Sequence, residues 1–121
     1  GAPPIRALAE SISARPGEAT IIYRVRNSND AALIAELREI AKRRGFYIHI
    51  LEGSRKHPQS WFPAGVNDQF PDHERLQALV PNIGKSDVFI CGPSAFTKAV
   101  ERSLTKVGTP LNQIHAEEFA W

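Results

Sequence analysis

Residues 19–25 (Ala-Thr-Ile-Ile-Tyr-Arg-Val) and 87–91 (Asp-Val-Phe-Ile-Cys) are apolar at neighbouring rather than alternate positions. A strand with one wet face alternates polar and apolar residues. A strand that does not alternate needs cover on both faces, which is the condition of a parallel sheet between two layers of helices. The segments between these runs change period. Leu33, Ile34, Leu37, Ile40 and Ala41 recur at helical intervals, as do Phe96, Ala99, Val100 and Leu104. The chain is therefore an α/β protein built on a doubly wound parallel sheet.

Local signals set the boundaries. Pro4 suits a first helical position, and Ile5, Leu8, Ala9 and Ile12 follow until Arg15-Pro16-Gly17, predicting a helix over 4–14. A strand over 19–26 comes next. Asn27-Ser28-Asn29-Asp30 offers side chains to cap a helix that ends at Gly45, and residues 46–51 read as a second strand closed by Gly53-Ser54-Arg55. From 56 to 70 no period survives, and Pro58, Pro63 and Gly65 predict a long loop. A short helix over 72–79, a connection over 81–85 and a strand over 87–91 ending in Gly92-Pro93 complete this part. Ser94 is expected to cap a helix running to Gly108, and 114–119 is a last, weaker strand.

This order begins with a helix. Parallel strands are joined by right-handed crossovers, so a helix opening the unit normally follows a strand at the centre of the sheet. The sheet is expected to lack that first central strand. The chain starts at Gly1 and has no Met, so it is expected to be a C-terminal part of a longer polypeptide. Without the central strand, two inner edges lose their partners, which predicts a dimeric or exchanged arrangement, or a collapse of one inner strand onto the other.

The 121 residues fit one domain over 1–121, with no internal boundary. Fifteen Lys and Arg against thirteen Asp and Glu leave a net charge of +2, too balanced for a nucleic-acid binder. The single cysteine, Cys91, excludes a disulfide framework and a multi-thiolate zinc site, and makes a reducing compartment the expectation. His49, His57, His73 and His115 have no spacing that would bring them to one metal. Neither a membrane-spanning run nor a signal-peptide pattern occurs. Lys42-Arg43-Arg44, at the end of a helix, is explained by the dipole of that helix.

Three segments carry a resemblance: Gly1-Ala2-Pro3-Pro4, the run Asp87 to Pro93, and Gly108 to Phe119 with its His115-Ala116-Glu117-Glu118-Phe119 ending. Together they resemble the NAD(P)H-binding domain of the ferredoxin-NADP reductase superfamily, and the ending resembles its ferric reductase and NADPH oxidase branch. The resemblance implies a C-terminal domain whose polypeptide also carries an FAD-binding barrel. It further implies hydride transfer from NADPH to FAD, then single electrons passed to haem or ferric iron, with a haem-bearing membrane domain as a further partner. A place in the cytoplasm, at the cytoplasmic face of a membrane, follows from it. The isolated chain is expected to show no FAD-dependent turnover and to bind NADPH weakly or not at all.

The site residues follow in the same way. In an open α/β sheet, ligands lie beyond the carboxyl ends of the strands. Gly1 and Pro4 look like the second half of a glycine-rich loop that leads into a helix N-terminus suited to a pyrophosphate. Arg26 follows the first strand, where no acidic residue waits for ribose hydroxyls, and Ser54-Arg55 matches the family's pair for a 2′-phosphate, favouring NADPH over NADH. By resemblance, Cys91 lies beside the nicotinamide with Glu117, Gly92 and Pro93 leave room for the dinucleotide, and Phe119 or Trp121 faces the flavin ring. Trp61 and Phe62, in the long loop, are expected to pack on adenine, the flavin domain or a membrane-domain surface. Two rivals stand beside this reading. One is a non-catalytic nucleotide- or protein-binding module of flavodoxin-like or receiver-like shape. The other is a stand-alone enzyme using His57, Asp68 and His73.

Overall fold

Residues 4–25, 28–52, 60–62 and 69–119 are described by the computed structural model, Phe119 by its backbone. Among them the elements run α1 (Ile5–Ser11), β1 (Ala19–Arg24), α2 (Ala31–Arg44), β2 (Tyr47–Leu51), α3 (Asp72–Leu79), β3 (Asp87–Pro93), α4 (Ser94–Lys106) and β4 (Ile114–Phe119). The strands form one parallel sheet in the order β2-β1-β3-β4. Ile21, Tyr23, Phe89 and Cys91 face a core shared with Ile5 and Ala9 of α1 and Leu37 and Ile40 of α2. Ile22, Val88 and Ile90 face the opposite core, shared with Leu76 of α3 and Phe96, Val100 and Leu104 of α4. Both faces of β1 and β3 are thus covered, as their unbroken apolar runs require.

The two strands expected to flank an absent central strand pair with each other, from Ala19 opposite Asp87 to Tyr23 opposite Cys91. Their inner edges satisfy one another's backbone groups, so collapse of one inner strand onto the other is the arrangement observed.

Four local readings are corrected. The first helix stops at Ser11 rather than 14, and Ile12 is already extended. The reason lies on another element: the Arg44 guanidinium donates to the carbonyl oxygens of Ala9 (2.9 Å), Glu10 (3.2 Å), Ile12 (2.6 Å) and Ala14 (3.0 Å). A planar, multi-donor cation satisfies the terminal carbonyls better than another turn of helix would. Secondly, the basic end of α2 therefore serves α1 rather than only its own dipole, and Arg43 reaches Glu10 at 2.9 Å. Thirdly, Ser94 is the first residue of α4 instead of its cap; Pro93 precedes the helix, which has no side-chain cap.

The fourth correction concerns Trp61 and Phe62. They are buried in the chain's own α3/α4 core and do not await an outside surface. The Trp61 ring nitrogen donates to Ser103 Oγ at 2.8 Å, its ring stacks on Phe62 at 4.1 Å, and Arg75 sits 4.2 Å over the Phe62 ring. Asp72 ties this corner together, accepting from Ser60 Oγ (2.6 Å), the Trp61 amide (3.0 Å) and Arg75 (3.0 Å). Burial alone would push the Asp72 carboxyl up, yet these donors hold it below its ordinary value.

At the end of α2, Gly45 takes φ 72°, and a Cβ there would lie 2.7 Å from Pro16 Cβ. Its freedom lets the chain turn into β2 against the α1–β1 connection. The strand expected over 46–51 begins at Tyr47, and that expected over 19–26 ends at Arg24, with Val25 already outside it.

Arg44→Ala is expected to lower the unfolding free energy by about 2–3 kcal/mol, the scale of hydrogen bonds to a charged donor, and Arg44→Lys to recover less than half, because an ammonium lacks the planar fork. Urea unfolding followed by circular dichroism measures both.

Candidate functional site

Because the sheet is wholly parallel, every strand delivers its carboxyl end to the same side of the molecule. The register sets Arg24 beside Leu51, Tyr23 beside Cys91, Cys91 beside Glu117 and Pro93 beside Phe119. The four strand tips named by the sequence therefore share one end. Gly1, Arg26, Ser54, Arg55 and Trp121 lie outside the described residues, as do His57 and Asp68 and the side chain of Phe119. Val25, next to Arg26, and Glu52, two residues before Ser54, lie at this end; the Val25 amide donates to the Leu51 carbonyl at 3.0 Å.

A groove of about 440 Å³ opens there between the tips of β1 and β2 and the first turns of α2. Val25, Ile34 and Ile50 form its apolar part, and Ser28, Arg38 and Glu52 bring a hydroxyl, a guanidinium and a carboxylate. Ligand pockets span roughly 300–1,000 Å³ and combine apolar walls with a few polar groups. Among these residues only Ser28, in the polar run 27–30 that follows the first strand, stands out in the sequence. Ala31, Ile34, Ala35 and Arg38 are spaced as one helix face, and that spacing was the available signal; which strand the face meets is a tertiary fact.

The other half of the site lies at the tips of β3 and β4. Cys91 is fully buried, and its thiol is pushed well above its ordinary pKa, first by burial and then by the charge of Glu117. At neutral pH it is a small neutral group, not a nucleophile. Glu117 Oε1 accepts a hydrogen bond from the Ile5 amide at 3.1 Å. The start of α1, just after Pro4, is thereby joined to Glu117, whose register partner is Cys91. The α1 amide expected at a pyrophosphate is here donated to a carboxylate. On the opposite face, Glu118 accepts from Thr97 Oγ1 at 3.2 Å, joining β4 to α4.

Gly92 is required by its neighbours. A Cβ at this position would stand 2.5 Å from Phe96 Cδ2 and 3.1 Å from Arg24 Cβ. Pro93 then ends the strand and leads into α4.

The remaining histidines sit elsewhere. His115 lies 3.2 Å from Asp87 Oδ1 and stacks on Phe89, at the amino-terminal half of β3. His73 is on α3. Burial lowers the pKa of His49, whose Nε2 is enclosed without a hydrogen-bond partner.

Residues 1–102 match the family described as the oxidoreductase NAD-binding domain. The ferredoxin reductase component of 3-ketosteroid-9-alpha-monooxygenase from Mycolicibacterium smegmatis is 32% identical over 98% of this chain and 31% of its own length. The corresponding component from Mycobacterium tuberculosis is 28% identical over the same shares, 98% and 31%. The chain thus spans about a third of these relatives.

Among solved structures, the flavohem-like FAD/NAD binding domain of a nitric oxide dioxygenase from Vibrio cholerae superposes with TM-score 0.56 at 18% identity, covering 95% of this chain and 44% of that one. The ferredoxin reductase of carbazole 1,9a-dioxygenase gives 0.52 at 23% identity, covering 89% and 34%. The Amycolatopsis cytochrome P450 reductase gives 0.53 at 18% identity, covering 92% and 39%. These three likenesses establish the shared fold.

Two outcomes follow from the β3 tip. The unfolded chain ionises its thiol near the ordinary pKa of about 8.5 while the folded chain does not, so stability should fall as pH rises past that value, by up to roughly 1.4 kcal/mol per unit. Urea midpoints from pH 7 to 10 measure the slope, and Cys91→Ala should remove it. Gly92→Ala should cost about 1–3 kcal/mol by overpacking, measured by thermal unfolding.

Proposed function

Since the chain belongs to the oxidoreductase NAD-binding domain family of ferredoxin reductase-like proteins, we propose that it holds NADPH, in preference to NADH, for a flavin-dependent reductase and presents the nicotinamide to FAD on a neighbouring barrel domain. The observation that carries this reading is the convergence of the β1–β2 groove and the Cys91–Glu117 corner at one end of the sheet. A dinucleotide has two ends, and the sheet offers two places to receive them.

In this reading the adenosine end rests in the groove against Val25, Ile34 and Ile50. Arg26, Ser54 and Arg55, which follow the two strands that form the groove, supply the hydroxyl and guanidinium chemistry a 2′-phosphate requires. Gly1 and Pro4 belong to the pyrophosphate segment. At the far end, Cys91 gives a small neutral wall, Gly92 and Pro93 turn the chain away, and Glu117 holds a negative charge beside the nicotinamide position. Such a charge favours the positive charge that hydride loss leaves behind. When bound, the reduced nicotinamide supplies a hydride, and FAD of the neighbouring domain is its acceptor. Phe119 or Trp121 covers the flavin side.

For the onward acceptor, the relatives' descriptions support an oxygenase system ahead of the ferric iron or membrane haem expected from the sequence. In this reading the site works in the cytoplasm, as the family resemblance implies. No described helix is long and apolar enough to cross a membrane.

In the reductase that carries this domain, NADPH should reduce the flavin at a KM at least tenfold below that of NADH. Losing one charge-assisted contact is worth about 1.5–3 kcal/mol, so Arg55→Ala should raise the NADPH KM roughly 10- to 100-fold and leave that for NADH within about twofold. Equal KM values for the two coenzymes would refute the preference. Binding of neither would refute the reading and favour a non-catalytic module.

A further inference from the structure

We propose that Phe96 is a positioning residue for hydride transfer: its ring braces the tip of β3 so that Cys91, Gly92 and Pro93 keep their place opposite Glu117. The proposal rests on the coenzyme-binding reading above and adds a residue to it from α4. Three observations carry it.

The ring lies directly on the Gly92 α-carbon, so close that a Cβ would stand 2.5 Å from Cδ2, and the base of Arg24 closes in from β1. Phe96 therefore touches the peptide that follows Cys91, where the pairing of β3 with β1 has ended and only β4 still pairs with the strand. Gly92 has no side chain to pack against a core, so beside its β4 partner the Phe96 ring supplies the packing at this peptide.

The ring is itself held from behind. Trp61 meets it edge-on at 6.0 Å and 89°, and Trp61 is fixed by its ring nitrogen on Ser103 and its amide on Asp72. A brace must be stiffer than what it supports, and a buried aromatic pair with two hydrogen-bonded anchors meets that condition.

Phe96 is also the most exposed of the buried residues of its core, at 8%, whereas Val100 and Leu104, one and two turns further along α4, are fully buried. Phe96 thus lies at the margin of that core, beside Gly92. A displacement of about 1 Å at a reacting centre can cost up to 10²-fold in rate. Loss of this brace should therefore appear in the rate of hydride transfer more than in coenzyme affinity.

The test uses the FAD-bearing reductase that carries this domain. In Phe96→Leu, flavin reduction at saturating NADPH should slow about tenfold while the NADPH dissociation constant stays within threefold. Phe96→Tyr, which restores the ring, should return the rate to within threefold of the parent. Amide hydrogen exchange adds a local reading: the Cys91 and Gly92 amides should exchange faster in Phe96→Leu, and those of Ile21 and Ile22 should not.

A parent-like rate and parent-like tip exchange in Phe96→Leu would overturn the proposal, and so would a uniform loss of protection through β1 and β3. If the leucine variant does not fold, Trp61→Phe, which keeps a ring behind Phe96 but loses the Ser103 bond, should show the same rate and exchange pattern at about threefold. Its absence there would equally overturn the proposal. The exchange experiment needs no coenzyme. A parent protein that fails to bind NADPH would sink the coenzyme reading, while unchanged exchange at the tip would sink the brace alone.

Discussion

Everything in this protein hangs on β1 and β3 being covered on both faces. A strand in that position has no wet side, so each of its residues must find a partner above or below the sheet. Ile21 and Tyr23 point to α1 and α2, while Ile22 points to α3 and α4. Covering both faces of parallel strands requires helical crossovers, and these leave all the carboxyl ends of the strands on one side. The end of the molecule proposed to receive the coenzyme is thus a by-product of how its core is closed. Direct pairing of β1 with β3 draws the groove at β1–β2 and the Cys91–Glu117 corner within one sheet edge.

Polar contacts over long sequence distances then sharpen this frame. Arg44 terminates α1 from the far end of α2. Glu117 receives the first amide of α1 across 112 positions of sequence. Asp72, Ser60 and Arg75 hold the Trp61–Phe62 corner against α3 and α4. Each satisfies backbone or charged groups that would otherwise be costly inside a water-poor layer. The chemistry at the strand tips inherits this economy: a thiol kept neutral by burial, a glycine kept bare by a neighbouring ring, and a carboxylate held by an amide.

Much of this was legible beforehand. The bounds of α3 and β4 agree with the residues 72–79 and 114–119 read from spacing, and the C-terminal glycine of α2 is the one expected. Cys91, Gly92 and Glu117 were singled out, and the structure brings the cysteine and the acid side by side. What the reading lacked were the groove residues Ile34, Arg38, Ile50 and Glu52 and the ring of Phe96. They look like ordinary amphipathic positions, and nothing local says which neighbour each will meet. Trp61 and Phe62 misled for the complementary reason. Two large rings in a segment rich in breakers resemble an exposed binding patch until the core that receives them is known.

The sequence by itself determined the alternation of strand and helix, the burial of the central strands and the end of the sheet on which a ligand would rest. Those properties depend on periodicity and on the single handedness of crossovers, both readable a few residues at a time. Only the tertiary structure decided where α1 stops, which carboxylate meets its first amide, which ring lies on Gly92 and which residues line the groove. These are contacts between segments far apart in the chain. Their energy depends on distances of a few ångströms, which the fold sets and no local pattern records.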